Sequence, residues 1–298
     1  MMDATNLRCL ATTHDVCGEG CVWHPQSDSV FWTDINRGLL HRYSLTSGSV
    51  ESWGVGEPVT SVILTSQKQL IVLVLGSRIV VWDTRTHKIV EELYRLREWP
   101  HVRCNDAHVD PAGVLWFGTM QNNVRANGTT GSVTERRGAL FSLAAGFQAK
   151  KWYDGFGISN TVAWSPDGAT MYFGDTLENT LYRGSFDPVN SRLEGPKVFF
   201  SGFGRGLPDG SAVDAEGYLW NCRYDGSCIV RVAQDGSIAG VVETPVKNPT
   251  TCAFGGENLS PLFFTAAQSA KEDPQALTGS LFSIRVPVRG LPVTPFRL

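Results

Sequence analysis

The stretch Ala163-Trp-Ser-Pro-Asp-Gly-Ala-Thr-Met-Tyr-Phe-Gly-Asp175 reads as two short apolar strands joined by a Pro-Asp-Gly turn. The same outline recurs along the chain. His108-Val-Asp-Pro-Ala-Gly-Val-Leu-Trp-Phe-Gly118 and Ala212-Val-Asp-Ala-Glu-Gly-Tyr-Leu-Trp-Asn221 are close copies. Val22-Trp-His-Pro-Gln-Ser-Asp-Ser-Val-Phe-Trp-Thr-Asp34 is a fourth, and Ala253-Phe-Gly-Gly-Glu-Asn-Leu-Ser-Pro-Leu-Phe-Phe-Thr265 a fifth. Ile63-Leu-Thr-Ser-Gln-Lys-Gln-Leu-Ile-Val-Leu-Val74 is a fainter sixth. The residues before the turns are Trp23, Leu64, Val109, Trp164, Val213 and Phe254. Strand units spaced about 40 to 55 residues apart are the mark of propeller blades.

Between the copies lie further hairpin-like pieces, such as Leu40–Trp53, Arg78–Trp82, Gly138–Leu143 and Cys228–Val232. Each repeat therefore supplies about four strands. No stretch carries a helical period. The expected fold is an all-β, six-bladed β-propeller of four-stranded blades, forming a single domain over residues 1–298. The alternative is a β-sandwich or a pair of stacked barrels. The segment Leu7–Thr13 is expected to pair with the last blade as its outer strand and so close the ring.

The remaining composition narrows the function. The net charge is −3 and charged residues make up 18% of the chain, so neither nucleic acid nor an anionic membrane surface is expected as partner. No apolar run is long enough to span a membrane, and no secretory leader is visible. Seven scattered cysteines, an odd number, suggest reduced thiols and a cytoplasmic protein, monomeric or weakly oligomeric.

In a propeller the first strand of each blade lines a central channel. Counting back four residues from each turn gives Glu19, Thr60, Asn105, Asn160, Asp209 and Thr250. All six carry side-chain oxygen. Two carboxylates and two carboxamides suit a hard divalent cation such as Ca²⁺, Mg²⁺ or Mn²⁺, whereas Zn²⁺ would favour His or Cys, which the ring lacks. Glu19, Asn105, Asn160 and Asp209 are thus the expected metal ligands, with Thr60 and Thr250 the non-ligating pair. The bland alternative is a wet polar channel that binds nothing. Asp106 either orients a neighbouring ligand or ends a strand. Arg103, two residues before Asn105, is placed to reach a polar substrate. The polar insert Met120–Arg137 is a candidate lid. Asp34, Asp175, Arg223 and Tyr224 end second strands on the same side, where each can either bind substrate or cap its strand.

At these residues the chain resembles the SMP-30/gluconolactonase family of regucalcin-like sugar lactonases. The matching segments are Gly18-Glu-Gly-Cys-Val-Trp23, Arg103-Cys-Asn-Asp106, Gly118-Thr-Met120, Ile158-Ser-Asn-Thr-Val-Ala-Trp164, Pro208-Asp-Gly210 and Cys252-Ala-Phe-Gly-Gly256, in order and at blade spacing. The resemblance implies a six-bladed propeller that hydrolyses lactones with one divalent metal ion (Ca, Mn, Zn, Mg or Fe). It implies metal ligation by Glu19, Asn160 and Asp209, with Asn105 binding directly or through water and substrate. It also implies Asp209 as catalytic acid/base and Arg103 as a substrate contact. Two positions depart from the family pattern: Cys104 stands where many members have Pro or Phe, and Asn123 where some have a sugar-binding Glu. The expected reaction is hydrolysis of a small-molecule sugar lactone, an aldonolactone, with Arg103, Asn105, Asn122 and Asn123 holding sugar hydroxyls. A metal-dependent phosphotriesterase or other esterase, and a non-enzymatic calcium-binding propeller, are the alternatives.

Overall fold

The structure is a computed structural model and describes residues 5–144, 146–268 and 277–298. Its strands form six separate four-stranded antiparallel sheets. Blade one shows the plan, with Gly18–His24 innermost, followed outward by Ser29–Asp34, Leu39–Ser44 and Val50–Gly54. The innermost strands of blades two to six are Val59–Leu64, Val102–Val109, Ser159–Trp164, Leu207–Val213 and Pro249–Phe254. The outer strand of blade six is N-terminal: Thr5–Ala11 pairs antiparallel with Leu281–Arg285. The expected closing strand is therefore present but shifted, ending at Ala11 rather than Thr13. Thr13 instead turns inward, its Oγ1 donating to Asp15 and to the Gly279 carbonyl.

The blades are held by apolar wedges between neighbours. Val72, Val74 and Val81 of blade two pack with Leu115, Phe117 and Phe141 of blade three. The Asp-x-x-Gly-x-Leu-Trp outline in two of the repeats has a physical cause. Asp110 accepts the Trp116 indole N–H at 2.9 Å and the N–H groups of Ala112 and Val114 at 2.8 and 3.0 Å. Asp214 does the same for Trp220, Glu216 and Tyr218. One buried carboxylate thus satisfies both the turn and the indole that follows it. Among the described residues no helix is long and apolar enough to cross a membrane.

Each innermost strand contains a β-bulge, and all six bulges fall at the ring positions. The register breaks between Glu19 and Val22, Val59 and Ser61, Cys104 and Ala107, Asn160 and Ala163, Pro208 and Ser211, and Pro249 and Cys252. A bulge bends the strand and re-aims a side chain, and here it does so once per blade at one height of the channel. Two glycines make the geometry feasible. Gly20 after Glu19 takes φ +60°, and a Cβ there would sit 2.8 Å from Ser61 Cα. A Cβ on Gly210 after Asp209 would sit 2.3 Å from Thr251 Oγ1.

The far mouth is crossed by the C-terminal segment. Gly290 donates to the Leu259 carbonyl and Phe296 to that of Leu64, so the strap runs from blade six to blade two. Phe296 is fully buried in the wedge between blades two and three.

Candidate metal centre and active site

The bulges bring Glu19, Asn105, Asn160 and Asp209 to one end of the channel. Asn105, Asn160 and Asp209 are buried, and Glu19 lines the channel beside them. Asp209 is in hydrogen-bond contact with Glu19. Burial first, and then the charge of Asp106, push the Asp209 carboxyl up to about 8. Glu19 is also raised well above its ordinary value, by burial, then by Asp209 and Asp106. Burial raises Asp106 as well. Burial is thus the main cause at all three carboxyls, with the charge of Asp106 adding to it at Glu19 and Asp209.

The amide groups are oriented by defined partners. The Asn105 Nδ2 donates to Asn160 Oδ1 at 2.7 Å and to the Ser159 carbonyl at 3.0 Å. The Asn160 Nδ2 donates to Thr176 Oγ1 at 2.8 Å, and Thr176 donates in turn to the Pro208 carbonyl. Both carboxamides thus turn their nitrogens onto protein. The Asn160 oxygen accepts the Asn105 amide, and the Asn105 oxygen accepts Arg103. Asp106 Oδ2 accepts the Val162 N–H at 3.2 Å, which pins the blade-four bulge just beyond Asn160. It thus supports the neighbouring blade beside a candidate ligand rather than capping its own strand end.

Thr60 and Thr250 differ from the other four ring positions. Thr60 Oγ1 donates to the Asn105 carbonyl at 2.8 Å and to that of Val74 at 3.1 Å. Thr250 Oγ1 donates to the Gly18 carbonyl. Both hydroxyls staple one blade to the next.

The donor set fits a hard cation. Among the described residues no three His, Cys, Asp or Glu side chains gather as a metal site. The available set is two carboxylates and carboxamide oxygens, the chemistry of Ca²⁺, Mg²⁺ or Mn²⁺. A cation between Glu19 and Asp209 would offset the burial that holds both carboxyls high.

Arg103 borders this centre. Its Nη1 donates to Asn105 Oδ1 at 2.6 Å and to the Cys104 carbonyl at 2.9 Å. Its Nε and Nη2 both donate to Asn123 Oδ1 at 3.1 Å. The guanidinium is buried against amides, with no carboxylate among these partners, and burial pulls it below its ordinary value. Asn122 lies beside Asn123 but is turned away. Its Nδ2 donates to the Pro100 carbonyl and its Oδ1 accepts the Val124 N–H, so both ends of its amide brace the loop.

Residues 121–137, the candidate cover, include a small hairpin bridged at Val124 and Thr130. Asn36 of blade one holds the hairpin: its Nδ2 donates to the Gly128 carbonyl at 2.8 Å and to Thr130 Oγ1 at 2.9 Å. On the other side Arg136 bonds Asp175 Oδ2 at 3.0 Å, the Gly155 carbonyl at 2.8 Å and Glu178. The segment therefore leaves blade three and is clasped by blades one and four. Asn36 and Arg136 escaped the sequence reading, although Asn36 follows Asp34 just as Leu177 follows Asp175.

Of the second-strand ends, Asp34 and Asp175 are caps. Asp34 accepts the N–H groups of Val16, Cys17 and Asn36, and Asp175 those of Gly157, Ile158 and Leu177. Arg223 is buried behind the channel, bonded to Asn221, Asn179 and the carbonyls of Arg205 and Gly206. Tyr224, the residue after it, is exposed at the strand end.

Known proteins are similar to this chain in sequence and fold. Over 95% of this chain and 96% of its own length, a 6-deoxy-6-sulfogluconolactonase of Pseudomonas putida is 33% identical. A pentonolactonase of Haloferax volcanii is 33% identical over 92% of each chain. The crystal structure of a calcium-binding protein, regucalcin, from Agrobacterium tumefaciens superposes with a TM-score of 0.90 at 29% identity, covering 98% of both chains. Residues 17–268 match the model of the SMP-30/Gluconolactonase/LRE-like region, and the chain belongs to that family.

Proposed function

We propose that this protein hydrolyses a sugar-derived lactone, an aldonolactone, to the open aldonic acid with the help of one divalent cation. Glu19, Asn160 and Asp209 would hold the cation, joined by Asn105 directly or through water. The observation that carries this reading is Glu19 and Asp209 side by side, both raised mainly by burial, with oriented amides and a guanidinium whose described hydrogen bonds all go to amide oxygens. When bound, the cation supplies Lewis acidity that polarises the ring ester and acidifies water.

The chain's own groups do the rest. Arg103 and Asn105, with Asn123 at the start of the cover, present a cation and amide groups suited to sugar hydroxyls. Asn122 braces the loop that carries Asn123. Asp209 takes a proton from the attacking water as its oxygen bonds the acyl carbon. It returns that proton to the ring oxygen as the acyl–oxygen bond breaks. A carboxylate fully engaged by a cation is a poor base, so one Asp209 oxygen must stay free for the proton. The cover over the mouth would exclude bulk water and keep the lactone in place.

The test is a pH-drop assay over five- and six-membered aldonolactones, with metal stripped and then Ca²⁺, Mn²⁺, Zn²⁺, Mg²⁺ or Fe²⁺ restored. Turnover should depend on the restored cation, and Asp209→Ala should lower it by about a thousandfold or more. Lactone turnover surviving in Asp209→Ala sinks the mechanism. Cation binding without turnover would instead mark a calcium-binding propeller, and organophosphate turnover well above lactone turnover would mark a phosphotriesterase.

A further inference from the structure

The bulges of blades four and five, which carry Asn160 and Asp209, are tied together from behind by buried side chains that the chemistry above does not use. Thr161, next to Asn160, stands at φ +56°. A β-branched residue rarely occupies that region without something holding it there. Its Oγ1 donates to the Asp209 carbonyl at 2.6 Å. Asn221, on the second strand of blade five, pairs with Ser211 just past the bulge. Its Nδ2 donates to the Asp209 carbonyl at 3.0 Å and to Ser211 Oγ at 2.9 Å, and lies 3.3 Å from Thr161 Oγ1.

The proton inventory closes. Thr161 gives its hydroxyl proton to the Asp209 carbonyl. Ser211 gives its own to Thr161 Oγ1 at 3.0 Å. The two Asn221 amide protons go to the Asp209 carbonyl and Ser211 Oγ. The Asn221 Oδ1 accepts from Arg223 Nη1 at 3.1 Å, so the guanidinium decides which way the carboxamide faces. All four side chains are buried.

We propose that Asn221, oriented by Arg223, is a positioning residue that sets the geometry of Asp209 relative to Asn160. The inference rests on the reading of this centre as a cation-dependent lactonase site. Two donors on the Asp209 carbonyl fix the peptide plane between Asp209 and Gly210. The side chain shares that Cα, so turning the peptide would swing the carboxylate. The Asp209 carbonyl, Ser211 and Asn221 together hold the Thr161 hydroxyl, and with it the strained backbone next to Asn160. Loss of a support behind a ligand typically costs 10- to 100-fold in metal affinity or activity.

The test uses full-length protein stripped of metal, as wild type, Asn221→Ala, Thr161→Val and Arg223→Lys. Calorimetric titration with Mn²⁺ is paired with steady-state kinetics on an aldonolactone. Asn221→Ala should weaken the Mn²⁺ Kd by about 10- to 100-fold and lower kcat at saturating Mn²⁺. The KM should stay within about threefold, because Arg103 and Asn123 keep their contacts. Thr161→Val, nearly isosteric and lacking only the hydroxyl, should move both quantities in the same direction. Arg223→Lys, which keeps a donor for Asn221, should move them less. A folded Asn221→Ala with wild-type Kd and kcat overturns the proposal, as does a raised KM with an unchanged Kd. If Asn221→Ala fails to fold, Thr161→Val decides alone. Wild-type protein that binds Mn²⁺ but opens no lactone removes the lactonase reading and leaves the Kd comparison to judge Asn221. Wild type that binds no Mn²⁺ overturns both.

Discussion

Protons and cations should compete directly for the channel, and the size of that competition can be worked out. Asp209 sits at about 8 and Glu19 is raised with it, so in metal-free protein near neutral pH the Asp209 carboxyl is mostly protonated. A cation must displace that proton. At about pH 6 roughly one Asp209 in a hundred is ionised, and at about pH 8 roughly half, so this carboxyl alone should strengthen apparent cation affinity by about 50-fold between them. Glu19 adds to the slope. Stability should follow the same linkage. The folded value of Asp209 lies above its ordinary 3.8, so its favourable contribution is complete below about 4 and is lost as pH rises through about 8. Metal-free protein should therefore soften over that window, while saturated protein should not.

The assay is calorimetric titration of stripped protein with Mn²⁺ or Ca²⁺, at several pH values and in buffers of different ionisation enthalpy. The expected result is a steep rise in affinity with pH and release of about one proton or more per cation near pH 6 to 7. A Kd flat across that range, with heats independent of buffer, would mean the carboxyls are already ionised. An incoming cation would then displace no proton from Asp209.

Two further outcomes test the parts around the centre. Asn36→Ala removes two hydrogen bonds worth roughly 1 kcal/mol each from the clasp on the cover. Amide exchange over 124–130 should quicken and KM should rise several-fold, with thermal stability nearly unchanged; unaltered exchange would show that Asn36 does not hold the cover. Phe296→Ala empties a fully buried site in the far-face strap and should cost about 3–5 kcal/mol in urea unfolding, with turnover per folded molecule unchanged. A loss below about 1 kcal/mol would show that the strap is not part of the core.

The sequence made the ring legible because a propeller repeats one register. The turn after Trp23, Trp164 or Val213 marks the strand end, and a fixed step back from it lands on Glu19, Asn160 or Asp209. Local chemistry was readable for the same reason: the Asp110 and Asp214 outlines recur because each turn and each indole needs the same acceptor. Contacts across the mouth were not readable. Asn36 meets Gly128 over 92 residues of separation, and neither residue belongs to a periodic pattern. The adjacent amides Asn122 and Asn123 could not be told apart by type. Only the backbone of the cover decides that Asn123 turns to Arg103 while Asn122 turns to Pro100 and Val124. The crossing of the far face by Phe296 was equally hidden, since one aromatic residue in a short tail carries no period.

The six equivalent bulges also show how one backbone device serves two ends. Where the ring side chain is a carboxylate or an amide, it is aimed at the channel. Where it is threonine, the hydroxyl is used on a neighbour's main chain, and those acceptors are not random. Thr60 binds the carbonyl of Asn105 and Thr250 that of Gly18 beside Glu19, while Thr161, next to the ring position Asn160, binds that of Asp209. Each acceptor lies on or next to a candidate ligand, and each bond crosses from one blade to another. The positions of the candidate ligands are therefore set between blades as well as by the bulges within them. Such a centre takes its final shape when the ring is closed, so loosening the pairing of Thr5–Ala11 with Leu281–Arg285 should weaken the proposed cation binding on the axis.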